Sequence, residues 1–283
     1  MSILDFVGNT PMVELWSGVY AKLEMKNPSG SVKDRAAKAI LGNANLPRGS
    51  HIVEATSGNF GISLAMISAV MGYSLTVVMP EGASAEREKI IKLYGGRVVR
   101  VRGDMSVARG LAREISVENN SFMPDQFSNP GNVSTHYRTT APEILRDIGS
   151  VDVFVCGVGS GGSITGVARY LKEKNPNTRV VAVYPSHGSM IEGIGAGFVP
   201  PIFDISLAYE DIFVGFNEAV YYSRLLARKY GIMAGISSGA AVFSAKILSA
   251  RPENEGKNIV TLLPDGGDRY YSTALFDNCN LTS

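Results

Sequence analysis

Cysteine is scarce: the 283-residue chain has two, Cys156 and Cys279. They lie far apart, with no C-x-x-C spacing and no histidine pair nearby. That excludes a disulfide framework and a structural zinc site, so no metal is expected. The two thiols read as idle residues of a reducing compartment, which points to the cytoplasm. An excess of one charge sign is also missing. The 27 Lys and Arg nearly cancel the 26 Asp and Glu, leaving +1. A nucleic-acid binder would show a basic excess or stripe, so that class is excluded. Histidine is rare, and His51, His136 and His187 are read as surface or helix-face residues with no catalytic role. Residues 1–5 carry no basic stretch followed by an apolar one, so no secretory leader is read there. One long uncharged stretch, residues 55–80, is broken by Asn59, Ser63, Ser68 and Gly72-Tyr73. Those breaks predict a buried helix followed by a buried strand, not a membrane span.

Glycine, by contrast, is abundant: 31 of 283 residues, well above the usual roughly 7%. The 45% apolar fraction is enough for a real core. Strands are predicted over 20–25, 51–53, 75–79, 97–101, 151–156, 179–184 and 258–263. Helices are predicted over 32–41 with Ser31 as N-cap, and over 61–71, 85–94, 106–118, 139–148, 162–174, 216–230 and 238–249. Pro130-Gly131 reads as a loop. Repeated β-α units with apolar strands imply an α/β fold of mostly parallel sheets covered by helices. The units fall into two clusters that meet near Thr135, which predicts two lobes with a ligand between them.

The glycines concentrate where a strand turns into a helix. Residues 151–156 run into Gly157-Val158-Gly159-Ser160-Gly161-Gly162-Ser163. Missing side chains let backbone N–H groups approach an anion, and the helix dipole favours negative charge there. The stretch also matches G-x-G-x-x-G through Gly157, Gly159 and Gly162. A dinucleotide fold needs an acid about 20 residues on. Pro185-Ser186-His187 supplies none, so a single phosphate is favoured over a dinucleotide.

Two more segments carry chemistry. Asn27-Pro28-Ser29-Gly30-Ser31-Val32-Lys33-Asp34-Arg35 precedes a helix. Alone, Lys33 would be a solvated lysine; buried beside a cofactor, its amine can form a Schiff base. Glu54-Ala55-Thr56-Ser57-Gly58-Asn59-Phe60-Gly61 ends a strand and opens a helix. Its hydroxyls and N–H groups suit a carboxylate, or serve as an ordinary helix cap.

Together these motifs resemble the cysteine synthase/cystathionine β-synthase family of fold-type II pyridoxal phosphate enzymes. The likeness extends through Val7-Gly8-Asn9-Thr10-Pro11, Ala21-Lys22-Leu23-Glu24 and Gln126-Phe127-Ser128-Asn129-Pro130. It continues in Gly193-Ile194-Gly195-Ala196-Gly197-Phe198, Gly235-Ile236-Ser237-Ser238-Gly239 and Arg269-Tyr270-Tyr271-Ser272-Thr273. The resemblance implies a fold like the tryptophan synthase β-subunit. Residues 35–137 would form a smaller, mobile lobe that closes on substrate. Residues 1–34 and 138–283 would form the larger, cofactor-binding lobe. It implies a cytoplasmic homodimer acting on small molecules. The implied activity makes L-cysteine from O-acetyl-L-serine and sulfide by β-replacement, through an aminoacrylate intermediate. O-phosphoserine, homocysteine or an amine are the alternative reactants.

By the same resemblance, Lys33 anchors pyridoxal 5'-phosphate and acts as the base. Asn59 bonds the cofactor's ring oxygen, and Gly159, Ser160, Gly161, Gly162 and Ser163 cradle its phosphate. Thr56, Ser57, Gly58, Asn59 and Gln126 take the substrate carboxylate, and Gly193 lines the opposite wall. Three departures from the family pattern stand out. Phe60 replaces a threonine, which loses a hydroxyl and adds bulk near the substrate. Gly266 stands where the family has a serine on the pyridine nitrogen, with Asp265 beside it as a substitute or as a solvent-facing residue. The connection from Tyr184 to Gly193 is short. No arginine is found in the substrate loops to hold a phosphate, which favours acetate as leaving group.

Overall fold

The chain is described by a computed structural model over residues 1–277; Cys279 lies outside the described residues. β1 (Met12–Trp16) and β2 (Val19–Leu23) open it as an antiparallel pair. After α1 (Lys33–Ala44) come β3 (His51–Ala55), α2 (Asn59–Met71), β4 (Ser74–Pro80), α3 (Ala85–Leu93), β5 (Arg97–Val101) and α4 (Met105–Glu118). α5 (Pro130–Thr135), a π-helical turn (His136–Thr140) and α6 (Ala141–Ile148) follow. The second half is β6 (Val153–Gly157), α7 (Gly162–Lys174), β7 (Arg179–Pro185), β8 (Glu210–Val214), α8 (Phe216–Tyr230), α9 (Ile236–Ser249) and β9 (Ile259–Leu263).

The strands form two sheets. The smaller has the order β3-β4-β5 and is parallel throughout. The larger has the order β1-β2-β9-β6-β7-β8 and is parallel except for edge strand β1. The first two strands therefore join the sheet made by the end of the chain, through β2 on β9. All of β9 and most of β3, β4, β6 and β7 are buried, as expected of parallel strands covered by helices.

Three elements differ from the sequence reading. The expected loop at Pro130-Gly131 is the start of α5. Pro130 occupies the first turn, where its missing N–H costs nothing, and the Asn129 side chain accepts from the Gly131 N–H at 2.9 Å. β8 was not anticipated, because as an edge strand it buries only Ile212 and Val214 and opens on the charged pair Glu210-Asp211. β1, another edge strand, was also not anticipated. At α1 the N-cap position belongs to Val32, while Ser31 Oγ accepts from the Lys33 N–H at 3.3 Å.

A buried charge cluster ties the start of α1 to the turn after β2 and to α6. Arg35 Nε and Nη2 each donate to Glu24 at 2.8 Å. Its Nη1 and Nη2 each donate to Glu143 of α6 at 2.7 Å, and Lys22 Nζ lies 3.1 Å from the same carboxylate. Burial pushes the Glu143 carboxyl up, but Arg35 outweighs it and holds the group down at about 2. Removing the guanidinium would leave buried Glu24 without a counter-charge and Glu143 with Lys22 alone. Arg35→Ala should therefore destabilise the fold by about 3–5 kcal/mol, read as a lower urea midpoint. An unchanged midpoint would contradict this.

Candidate active site

β6 ends at Gly157 and α7 begins at Gly162, so residues 158–161 form a tight crossing at a helix N-terminus. Gly161 has φ +83°, a left-handed conformation that glycine takes without strain. A side chain on Gly159 would collide with the Gly193 carbonyl, so the 193 loop sits directly over the cradle. Ser160 Oγ receives Asn132 Nδ2 at 3.0 Å, and Asn132 also donates to Gln126 O at 2.9 Å. Ser163 Oγ meets His136 Nε2 at 3.0 Å, while His136 Nδ1 meets Thr140 Oγ1 at 2.9 Å. His136 is thus buried rather than surface-facing. Burial, aided by the Arg35 charge, lowers it to about 3, so it is a neutral positioning group for Ser163.

Lys33 reaches this loop from the first position of α1. Its Nζ donates to Ser160 Oγ at 3.1 Å. Burial lowers the amine to about 8, against opposing attractions from Cys156 and Glu54. Those two are weak counter-charges near neutral pH. Burial holds the Cys156 thiol up at about 12, and burial with the neighbouring Asp125 holds Glu54 up at about 8. At pH 7 a fraction of about one tenth of Lys33 is the free amine, far more than for an exposed lysine.

The other wall comes from residues 56–59, between β3 and α2. Thr56 Oγ1 accepts from the Gly58 N–H at 3.1 Å. Asn59 Nδ2 donates to Asp265 Oδ2 at 2.6 Å, and Arg269 Nη1 donates to Asn59 Oδ1 at 3.0 Å. The Tyr270 hydroxyl donates to Asp265 Oδ2 at 2.7 Å. Asp265 is 1% exposed, so it faces inward, not solvent, and its Oδ1 is buried without a partner. Bridges from Ser31 to Asp265 and from Ala234 to Gly266 bring that segment beside the base of Lys33. Gln126 is buried next to Phe127. The expectation of added bulk from Phe60 is corrected: its ring is 1% exposed and packs into the core around α2 with Ile62 and Leu64.

One feature was missed. Arg87 of α3 is buried against Gly58, with Nη1 3.4 Å from the Ser57 carbonyl and an ion pair to Glu192. It comes from a helix outside the loop motifs, which is why no arginine was read there. Its Nη1 is paired with Glu192.

The donor set fits a phosphate-bearing aldehyde. The glycine cradle and helix N-terminus suit the phosphate, Lys33 offers an amine within reach of it, and the orphaned Asp265 Oδ1 suits a ring donor. Among the described residues, no cluster suits a metal, and no helix is long and apolar enough to cross a membrane.

Comparison with known proteins bears on the same chemistry. The profile of the family described as "Pyridoxal-phosphate dependent enzyme" matches residues 3–265. A cysteine synthase of Staphylococcus aureus is 39% identical over 300 residues, covering 97% of this chain and 96% of that protein. The crystal structure of an O-ureido-L-serine synthase superposes with a TM-score of 0.94 at 41% identity, covering 100% of this chain and 96% of the other. That of a cysteine synthase from Entamoeba histolytica gives 0.93 at 36%, covering 100% and 92%.

The Lys33 environment makes a pH prediction. In cofactor-free protein, Lys33 should react with trinitrobenzenesulfonate with a midpoint near pH 8, the free amine gaining above it. A midpoint near about 10 would show a solvated amine instead.

Proposed function

The chain belongs to the pyridoxal-phosphate dependent enzymes, and from that premise we propose that it carries out β-replacement on an O-activated serine. The preferred pair is O-acetyl-L-serine and sulfide, and the product is L-cysteine. The observation that carries this reading is the partly buried Lys33, its amine 3.1 Å from Ser160 in the glycine cradle.

Gly159, Ser160, Gly161, Gly162 and Ser163 would hold the phosphate, with His136 and Asn132 fixing the two hydroxyls. Asn59 would bond the ring oxygen, and Asp265 with Gly266 would meet the far end of the ring. When bound, pyridoxal phosphate supplies the electron sink that stabilises negative charge at the substrate Cα. Thr56, Ser57, Gly58, Asn59 and Gln126 bind the substrate carboxylate through hydroxyls, amides and N–H groups. Lys33 Nζ removes the Cα proton. Its lowered pKa suits that role, since a base works best when its pKa lies near the operating pH. Residues 35–137 close over the cleft against the Gly193 wall and exclude water. Acetate is preferred over phosphate as leaving group because Arg87 is already paired with Glu192. The family likeness supports a homodimer, and the buried, protonated Cys156 thiol is compatible with a cytoplasmic setting.

A second reading changes only the nucleophile, to homocysteine or an amine. The likeness to an O-ureido-L-serine synthase, named for an oxygen-linked product, supports a nucleophile other than sulfide without singling out these two. Competition between sulfide and these nucleophiles for one activated serine separates the two readings.

The direct test is cysteine formation by the purified holoenzyme. Lys33→Ala should lower the rate by about 10²–10⁴-fold or more. Absence of β-replacement with every nucleophile, or full activity in Lys33→Ala, would overturn the reading.

A further inference from the structure

Arg87 is the buried charge that this chemistry leaves unused. Its side chain is 2% exposed, and its Nε and Nη2 are buried with no hydrogen-bond partner. The alkyl stem lies so close to Gly58 that any side chain there would strike Cδ. The guanidinium stacks 4.9 Å from the Tyr270 ring centre, with Nη2 3.9 Å from Asp265, and pairs with Glu192. Glu192 immediately precedes Gly193, and its carboxylate also accepts from the Ser84 N–H at the start of α3.

The first turn of α3 is fastened to the larger-sheet side by further bonds. Ser272 N and Oγ donate to Glu86 at 2.7 and 2.9 Å, and Ser84 Oγ donates to Arg269 O at 3.3 Å. At the far end of the 192–198 loop, Arg109 of α4 lies over Phe127 and Phe198, at 5.3 and 5.5 Å. Two arginines from the smaller-sheet side thus grip this loop at its two ends. Arg87 alone of the two also touches residues 57–58.

A guanidinium buried with unpartnered N–H groups is costly, and pairing it rarely adds stability. What the arrangement provides is position. We infer that Arg87 and Glu192 are a positioning pair that holds the Ser57-Gly58 peptide against the Gly193 loop and so sets affinity for the substrate's α-carboxylate. The inference rests on the reading of residues 56–59 as the carboxylate loop. Arg87 acts through that loop and does not itself contact the substrate.

The test uses the holoenzyme and three variants: Arg87→Lys, Glu192→Gln and the double variant. L-serine, which binds without an activated leaving group, serves as the probe in a spectral titration. O-acetylserine and sulfide serve for steady-state kinetics. Each single variant should weaken L-serine and raise the O-acetylserine KM by about tenfold or more, with kcat and the sulfide KM nearly unchanged. The double variant should be no weaker than the weaker single, because the two residues act as one unit. L-serine affinity within about twofold of the parent in both single variants, additive losses in the double variant, or a shared fall in kcat and melting temperature would overturn it. If Arg87→Lys does not fold, Glu192→Gln, which keeps the shape and removes the charge, decides alone. Ser57→Ala separates the premise from the proposal. Unchanged affinity there defeats the carboxylate-loop reading, whereas weakened affinity there with unaffected Glu192→Gln defeats only the pair.

Discussion

The structure is organised around a primary amine partly withdrawn from water. Burial favours the neutral form of Lys33 and brings it to about 8. An amine in that state can serve as nucleophile and as base, and an exposed lysine can do neither well at neutral pH. Keeping it there requires α1 to begin at Lys33 and point it at the glycine loop. The Arg35 cluster supplies that placement by locking α1 to Glu24 on one side and to Glu143 of α6 on the other. The largest buried charges that do not touch the cleft thus aim the residue that does.

The cleft is assembled from both sheets. The larger contributes the anion cradle after β6, the Gly193 wall and the Asp265 segment after β9. The smaller contributes residues 56–59 at the end of β3 and the arginines of α3 and α4. This follows the general placement of ligands at the carboxyl ends of parallel strands. Contacts across the cleft are mostly polar or cation–π, as in Ser272 to Glu86, Arg87 to Glu192 and Arg109 between two phenylalanines. Such contacts can break and re-form without exposing a large apolar face.

Much of this was legible in the sequence because its signals are contiguous. The apolar run into Gly157, Gly159, Gly161 and Gly162 announces a strand, a cradle and a helix in one stretch, and α7 spans the residues expected. Edge strands β1 and β8 were lost because only one face is buried, so no apolar run marks them. At α5 the Pro-Gly pair is a turn signal and predicts a loop, although proline is equally at home in a helix's first turn. Arg87, Glu192 and His136 were hidden for a different reason. Each owes its role to a partner distant in sequence or to burial, and neither leaves a local pattern. Phe60 was read from its position in a motif, while the fold turned its ring into the core.

The central claim is that Lys33, and no other lysine, carries the cofactor. Borohydride trapping of the holoenzyme followed by peptide mapping tests it most directly. The account predicts a phosphopyridoxyl group on the peptide containing Lys33. A label on Lys22, Lys26 or any other lysine, or no label on a pyridoxal-phosphate-saturated protein, would contradict it.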